Sequence, residues 1–411
     1  MNNIEFYEVK DANKTVISFV FDIDYKREDI VKKMMMQRMI LNYTKDLKTI
    51  KDYHKTREDL YIMNCNNNLI KNYNKAIYEI NFAIPKSNII NDFNLDAAIK
   101  FIHDLLFNPF VNDNQFDLES FNFELNYLKD KEKDYPHSIG EYASDVFLDF
   151  VDEEKKTLLH YDEYINYLNS VTSKEVYEYY SKNIKNNNFK VCVFGNIEEK
   201  DNIITVLNKY FTINNLETRE IKYYDFLPVL DYKEKIISTK YNQSVLSLFY
   251  QFKDLKEEDL IKLEMLYYFL NSRENDLLYT ELRYKNNLVY QATAKYSLTY
   301  GSLALVAFLD YKLLDKVEDA INTVFDNLKD KNNFELYKSR LEKAIEYDIL
   351  NDEDNPFYMV KEVFLKNYLP NDILKIKLEK IKNVSFESFF QFLNRIVLTR
   401  KMIMKSGDEN D

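Results

Sequence analysis

Alternating hydrophobic and polar positions predict strands in both halves of the chain. In the first half the alternation covers residues 15–22, 60–65, 76–84 and 189–195, and the second half repeats it at 235–239, 245–252, 288–296 and 302–310. Apolar residues at helical spacing separate these runs, at 28–41, 95–107, 116–131, 139–150, 173–184, 200–211, 257–270 and 276–284. This mixture predicts an α+β fold.

The two halves also end alike, which indicates a duplication. Val171 opens a helix-then-strand segment that ends at Gly195, and Val384 opens a segment of almost the same length that ends at Gly407. Between the halves, residues 213–232 show no clear period. We therefore predict an N-terminal domain over residues 1–212, a linker over 213–232 and a C-terminal domain over 233–411.

Composition and charge exclude several classes of protein. The chain has 411 residues, of which 46% are hydrophobic, so it can bury the cores of two domains. Its net charge of -12 and the lack of a long basic cluster argue against a nucleic-acid partner. No run approaches the roughly 18 apolar residues of a membrane span, and the residues after Met1 lack a signal-peptide pattern. We expect a cytoplasmic protein.

Cysteine, histidine and glycine offer no obvious catalytic chemistry. Cys65 and Cys192 lie in apolar, strand-like runs, which predicts buried free thiols. The histidines stand alone and form no metal-ligand pair; they are His54, His103, His137 and His160. The 4 glycines are isolated, so no glycine-rich phosphate loop can form.

The order of elements resembles that of the pitrilysin, insulinase and mitochondrial processing peptidase family, especially its short two-domain bacterial members. The local sequences that carry the resemblance are LLFNPF at 105–110, FDLESFNFE at 116–124, TSKEVYEYYSKNI and FKVCVFGNI within 172–197, and LLYTELRYKNNLVY at 277–290. The resemblance implies two homologous domains, each a mainly antiparallel sheet covered by helices, that together form half of a clamshell.

Active members of that family carry His-x-x-Glu-His on a helix of the first domain. The two histidines share one helix face and bind zinc, while the glutamate polarises the metal-bound water. The resemblance places these three positions on Met34, Gln37 and Arg38. Neither a thioether nor a guanidinium suits such a site, so the resemblance implies a lost zinc site. The alternative is that residues 28–41 form an ordinary amphipathic helix of an unrelated fold.

A distant glutamate completes the ligand set in active members. With Phe116 and Glu124 as anchors, this third position falls at or next to Lys131, where Asp130 and Glu132 are the neighbours. We therefore expect no metal and no cofactor in this chain.

The resemblance also marks a pair of residues in the second half. Family members place an arginine at a helix end and a tyrosine seven residues later, and both reach substrate bound at the zinc; Arg283 and Tyr290 keep this pattern. An arginine can hold a substrate carbonyl, and a phenol can donate to the developing oxyanion. The alternative is a solvated arginine and a tyrosine that faces the core. Tyr284 and Asn287 depart from the family, which usually has an acidic residue and a glycine there.

The resemblance, with the altered metal positions, implies a catalytically inactive subunit of a heterodimeric zinc metallopeptidase for peptide processing. A paralogous partner with His-x-x-Glu-His would hold the zinc, and Arg283 and Tyr290 would act on the peptide substrate in trans. We expect no independent activity, and the isolated chain could form a homodimer. Two alternatives stay open: a stand-alone peptide-binding or scaffold protein, and an active enzyme with an unrecognised site.

Overall fold

The structure, a computed structural model, describes residues 4–9, 12–24, 26–72, 75–154, 159–212, 226, 228–271, 276–297, 301–352 and 373–407. The chain divides into two compact units. Within the described residues, unit 1 lies in the ranges 4–135, 161–212 and 351–352, and unit 2 lies in 136–160, 226–350 and 373–407. Residues 136–160, which we assigned to the N-terminal domain, thus belong to unit 2. Most of the predicted linker, 213–225 and 227, lies outside the described residues.

Unit 1 alternates strands and helices, and several of its elements are ones that the sequence pattern does not predict. Its strands are β1 (Ile4–Glu8), β2 (Lys14–Asp24), β3 (Asn64–Asn72), β4 (Lys75–Pro85), β5 (Val111–Asn112), β6 (Gln115–Phe116) and β7 (Phe189–Gly195). Its helices are α1 (Ile30–Asn42), α2 (Ile50–Asp59), α3 (Leu95–Phe107), α4 (Leu118–Glu132), α6 (Tyr161–Ser170), α7 (Ser173–Tyr180) and α8 (Lys200–Tyr210).

The main sheet of unit 1 has five strands in the order β1-β7-β2-β4-β3. The β1–β7 pair is parallel and the other pairs are antiparallel. Because successive residues of a strand point to opposite faces, Ile17, Phe19 and Phe21 of β2 all face the same core. Helices α1, α3, α4, α7 and α8 contribute their apolar sides to that core.

Unit 2 contains the remaining elements. Its strands are β8 (Lys233–Thr239), β9 (Ser244–Phe252), β10 (Val289–Ser297), β11 (Ser302–Leu309) and β12 (Ile396–Ser406). Its helices are α5 (Ile139–Val151), α9 (Leu260–Asn271), α10 (Leu277–Tyr279), α11 (Leu314–Asn327), α12 (Lys331–Asp352), α13 (Ile373–Lys382) and α14 (Phe386–Leu393). A π-helical turn, Thr280–Lys285, continues α10.

The sheet of unit 2 has apolar contacts on both faces. Helices α9, α11 and α14 cover one face. On the other face, Phe147 and Phe150 of α5 pack against Phe249 and Met402 of the sheet. Arg400 secures the end of α5, because its Nε donates to the carbonyl oxygen of Phe150 at 3.1 Å.

The two sheets share one topology. The order in unit 2 is β10-β11-β9-β12-β8, which matches the order of unit 1 when it is listed from β8. In each unit the strand that ends the half pairs in parallel with an edge strand, as β7 does with β1 and β12 does with β8. The predicted α+β fold, with two mostly antiparallel five-stranded sheets and helices, is confirmed. Within the described residues, no helix has the length and apolar character needed to cross a membrane.

Candidate functional site

Helix α1 directs its methionines into the core of unit 1. Met35, Met36 and Met39 are fully buried, and Met34 packs against the same core while partly exposed. The N-cap residue, Asp29, makes no capping hydrogen bond through its side chain. Packing, and not a strong cap, therefore holds this helix in place.

On the polar side of α1, Arg38 pairs with Glu124 of α4 through its Nε atom. The Glu124 side chain is fully buried, and its Oε1 accepts hydrogen bonds from Asn42 Nδ2 and Tyr43 Oη, both at 3.0 Å. Burial, aided by the charge of Glu124, raises the pKa of Tyr43, so this phenol remains a donor. Both oxygens of the buried carboxylate thus receive donors from the chain itself.

Tyr127 lies three residues beyond Glu124 on α4, and its side chain meets two cations. Arg38 Cζ is 4.4 Å and Lys131 Nζ is 4.7 Å from the centroid of its ring. The structure therefore brings Arg38 and Lys131, two positions of the predicted lost metal site, to one aromatic ring.

The acidic neighbours of Lys131 have other partners. Asp130 pairs with Lys133 at 2.7 Å. Glu132 accepts hydrogen bonds from Tyr161 Oη at 3.0 Å and from Tyr164 Oη at 3.4 Å. Within the described residues, neither Asp130 nor Glu132 forms an ion pair with Arg38.

The side chains at the predicted metal positions do not suit zinc. Met34, Gln37, Arg38 and Lys131 supply a thioether, an amide and two cations, and the nearby carboxylate of Glu124 is already paired. Across the described ranges, no cluster of three or more histidine, cysteine, aspartate or glutamate side chains could hold a metal ion.

The buried histidine and the two cysteines have their own local surroundings. His160 is fully buried between Asp149 and Asp152, with its Nε2 atom 3.3 Å from Oδ2 of Asp152. Cys192 is buried, as predicted, whereas Cys65 is half-buried. Burial of its thiol nevertheless raises the pKa of Cys65 to about 12, which disfavours a nucleophilic thiolate.

In unit 2, the turn between α10 and β10 fixes Arg283. Its Nη1 atom donates to Asn287 Oδ1 at 2.7 Å and to the carbonyl oxygen of Val289 at 3.0 Å. Asn287 has φ 51°, a left-handed conformation that asparagine adopts more readily than most residues. Asparagine can therefore stand where the family usually has glycine.

Tyr290 is turned outward by a β-bulge at the edge of the sheet. The pairing of β10 with β11 shifts between Val289 and Gln291, so Tyr290 is the extra residue of the bulge. Tyr290 is 55% exposed, and its hydroxyl has no hydrogen-bond partner among the residues that the structure describes. The alternative of a tyrosine facing the core is therefore wrong. We call Arg283, Asn287, Val289 and Tyr290 the edge corner.

Sequence reasoning used Glu124 as an anchor and missed its pairing role. The signal was present, because Glu124 shares the buried side of α4 with Phe121, Leu125 and Leu128. A carboxylate on an apolar helix face requires a partner. No sequence pattern indicated that Arg38 and Lys131 would both contact Tyr127.

The chain is similar to a known family of domains and to a curated protein. Residues 170–347 match the family model described as the peptidase M16 inactive domain. The probable inactive metalloprotease YmfF of Bacillus subtilis (strain 168) is 18% identical over 406 residues, which cover 97% of this chain and 95% of that protein.

Solved structures show the same fold. A conserved protein from Enterococcus faecalis V583 superposes with a TM-score of 0.78 at 17% identity, over 100% of this chain and 98% of that chain. A peptidase M16 inactive domain from Pseudomonas fluorescens superposes with a TM-score of 0.69 at 12% identity, over 99% of this chain and 96% of that chain. At these identities the likeness establishes the fold alone.

Proposed function

Because the chain belongs to the peptidase M16 family and is similar to its inactive members, we propose that it is the zinc-less subunit of a heterodimeric zinc metallopeptidase. A paralogous partner that retains His-x-x-Glu-His would supply the zinc. This chain would form part of the substrate chamber and act on the peptide in trans.

The edge corner is the observation that carries the proposal. Tyr290 presents its phenol to solvent, and a phenol can donate a hydrogen bond to the oxyanion that forms when water attacks a peptide carbonyl. Arg283 is held through Nη1, which leaves Nε and Nη2 without partners among the described residues. Those two atoms form a flat pair of donors that suits a substrate carbonyl or carboxylate.

The position of the corner also supports an extended peptide as the substrate. Strand β10 is at the edge of its sheet, so its outer side lacks a neighbouring strand within the described sheet. An extended peptide can pair with such an edge through main-chain hydrogen bonds. We propose that substrate binds along a sheet edge in this way.

The test is a pair of substitutions in the reconstituted complex. Tyr290→Phe removes a donor that is used chiefly in the transition state, so kcat should fall on the order of 10²-fold. Arg283→Ala should also raise KM, because a fixed guanidinium contributes to substrate binding before reaction.

Tyr284→Phe is the matched control, because Tyr284 belongs to the same turn and is 76% exposed. It should leave kcat and KM unchanged. Assembly and the zinc content of the partner are measured in the same preparations. Tyr290→Phe and Arg283→Ala complexes that assemble normally and cleave at the wild-type rate would refute the trans role.

Assembly itself separates this proposal from a stand-alone scaffold. Co-expression with the paralogue should give a stable 1:1 complex by size-exclusion chromatography with light scattering. A chain that stays monomeric with every co-encoded paralogue would favour the scaffold alternative.

A further inference from the structure

The surface over Tyr127 carries two positive charges that are not fully paired. Within the described part of the chain, Glu124 is the one carboxylate in an ion pair with Arg38, and it contacts Nε. The Nη1 and Nη2 atoms of Arg38 and the Nζ atom of Lys131 have no hydrogen-bond or ion-pair partner among the same residues. Arg38 Cζ and Lys131 Nζ lie 4.4 Å and 4.7 Å from the centroid of the same ring, so an anion bound beside that ring is attracted by both charges.

The guanidinium of Arg38 is held in a fixed orientation. Glu124 binds it on the Nε side, and the Tyr127 ring lies 4.4 Å from its Cζ atom. The arginine side chain is 27% exposed, so part of it remains in contact with solvent. A flat, fixed pair of Nη donors matches the planar geometry of a carboxylate, and little entropy is lost when it binds.

An apolar surface adjoins the two cations. Phe123 lies one helical turn before Tyr127 on α4 and is 57% exposed, while Tyr127 is 43% exposed. Residues four apart on a helix share a face, so Phe123, Tyr127 and Lys131 lie along the same side of α4. A ligand with a carboxylate beside an apolar side chain matches both parts of this surface.

We infer that Arg38 and Lys131 bind the C-terminal carboxylate of a peptide whose last side chain packs on Phe123 and Tyr127. The surface that corresponds to a cation site in active relatives thus binds an anion in this chain. The inference goes beyond the proposed trans role and does not depend on it, because the isolated chain is sufficient for binding. Its failure would leave the role of Arg283 and Tyr290 untouched.

The test measures binding of three short peptides to the full chain by fluorescence anisotropy. The first ends in leucine with a free carboxylate, and the second has the same sequence with a C-terminal amide. The third is also amidated and carries one internal glutamate, so its charge equals that of the first. We expect the free acid to bind on the order of 10-fold more tightly than either amide, and this preference should weaken with added salt.

Variants of the chain assign the preference to this surface. Lys131→Met keeps an apolar stem against Tyr127 and removes the charge, and it should reduce the preference to less than about 3-fold. Arg38→Lys retains a cation for Glu124 but loses the pair of Nη donors, so it should act in the same direction. Lys129→Met is the control, because it makes the same change two residues away on the same helix, and its preference should stay at the wild-type value.

Equal affinity for the acid and the plain amide would overturn the inference. An internal-glutamate peptide that binds as tightly as the free acid would overturn the assignment to the chain end. A preference that survives in both Lys131→Met and Arg38→Lys would show that the carboxylate binds elsewhere.

Discussion

The buried carboxylate of Glu124 in unit 1 and the edge corner of unit 2 use their polar groups in opposite ways. In unit 1, fully buried Glu124 receives donors from Arg38, Asn42 and Tyr43. In unit 2, a bulge turns Tyr290 outward, and its hydroxyl has no partner in the described residues. A buried carboxylate must be paired within the chain, whereas an exposed phenol can use water. The pairing of Glu124 therefore stabilises the fold, whereas the exposed hydroxyl of Tyr290 is available to a ligand.

Introducing the family's metal ligands at the predicted positions should change unit 1 the most, because it should create a zinc site. The wild-type chain should contain no stoichiometric zinc. The combination Met34→His, Gln37→Glu, Arg38→His and Lys131→Glu should bind about one zinc per chain with micromolar or tighter affinity. Glu124 would then accept a hydrogen bond from the histidine introduced at position 38 and orient it. Elemental analysis after dialysis, followed by chelator competition, measures the change.

The control for this experiment leaves Lys131 unchanged. Without the third ligand, and with a cation near the metal, zinc affinity should fall at least about 10-fold. A quadruple variant that takes up no more zinc than the wild type would mean that these positions do not converge on one point.

Breaking the buried pair should have the next largest effect. Arg38→Met leaves Glu124 buried without its cation, so the stability of the α1–α4 region should fall by about 3 kcal/mol. Because the chain has two units, hydrogen exchange of the α1 amides is a sharper measure than global unfolding. Lys131→Met changes an exposed cation on the same ring and should cost less than about 0.5 kcal/mol.

A double variant separates the charge from the packing. Adding Glu124→Gln to Arg38→Met removes the unpaired charge while keeping an acceptor for Asn42 and Tyr43. The double variant should therefore be more stable than Arg38→Met alone, by about 1 to 2 kcal/mol. The double variant could instead lose as much stability as the two single changes lose together. In that case the carboxylate of Glu124 is not destabilised by the loss of Arg38.

Elements with a strong local pattern could be predicted closely from the sequence. The bounds predicted for α3 (Leu95–Phe107) and β7 (Phe189–Gly195) are confirmed. Helix α3 has a side-chain cap, because Asn94 accepts a hydrogen bond from the Ala97 amide, and its buried residues recur at helical spacing. Both signals lie within the segment itself.

Elements that depend on distant partners were missed or misplaced. Helix α2 has Tyr53 as its buried residue and no apolar face that a period could reveal. Strand β1 pairs with β7, which lies far along the chain. The strand predicted at 60–65 is instead β3 (Asn64–Asn72), an asparagine-rich segment that is held by its pairing with β4.

The contacts of the candidate site also depend on residues that are distant in the sequence. The family resemblance marks Arg38, Lys131, Arg283 and Tyr290, but it does not predict their contacts. The Arg38–Glu124 pair joins two helices that are far apart in the sequence. The outward turn of Tyr290 depends on a register shift against β11, which no pattern within β10 specifies.

The smallest effect concerns how Arg283 is positioned. Asn287 holds Nη1 of Arg283 and also occupies a left-handed position. Asn287→Gly keeps that backbone and removes the acceptor, so the loss of one hydrogen bond, about 1 kcal/mol, should raise KM of the complex up to about 5-fold with little change in kcat. Asn287→Asp keeps an acceptor oxygen and tolerates the same backbone, and its KM should stay near the wild-type value.

If Asn287→Gly has the KM of the wild type while Arg283→Ala does not, the carbonyl of Val289 alone suffices to hold the guanidinium. An equal rise in both Asn287 variants would instead trace the effect to the backbone of the turn.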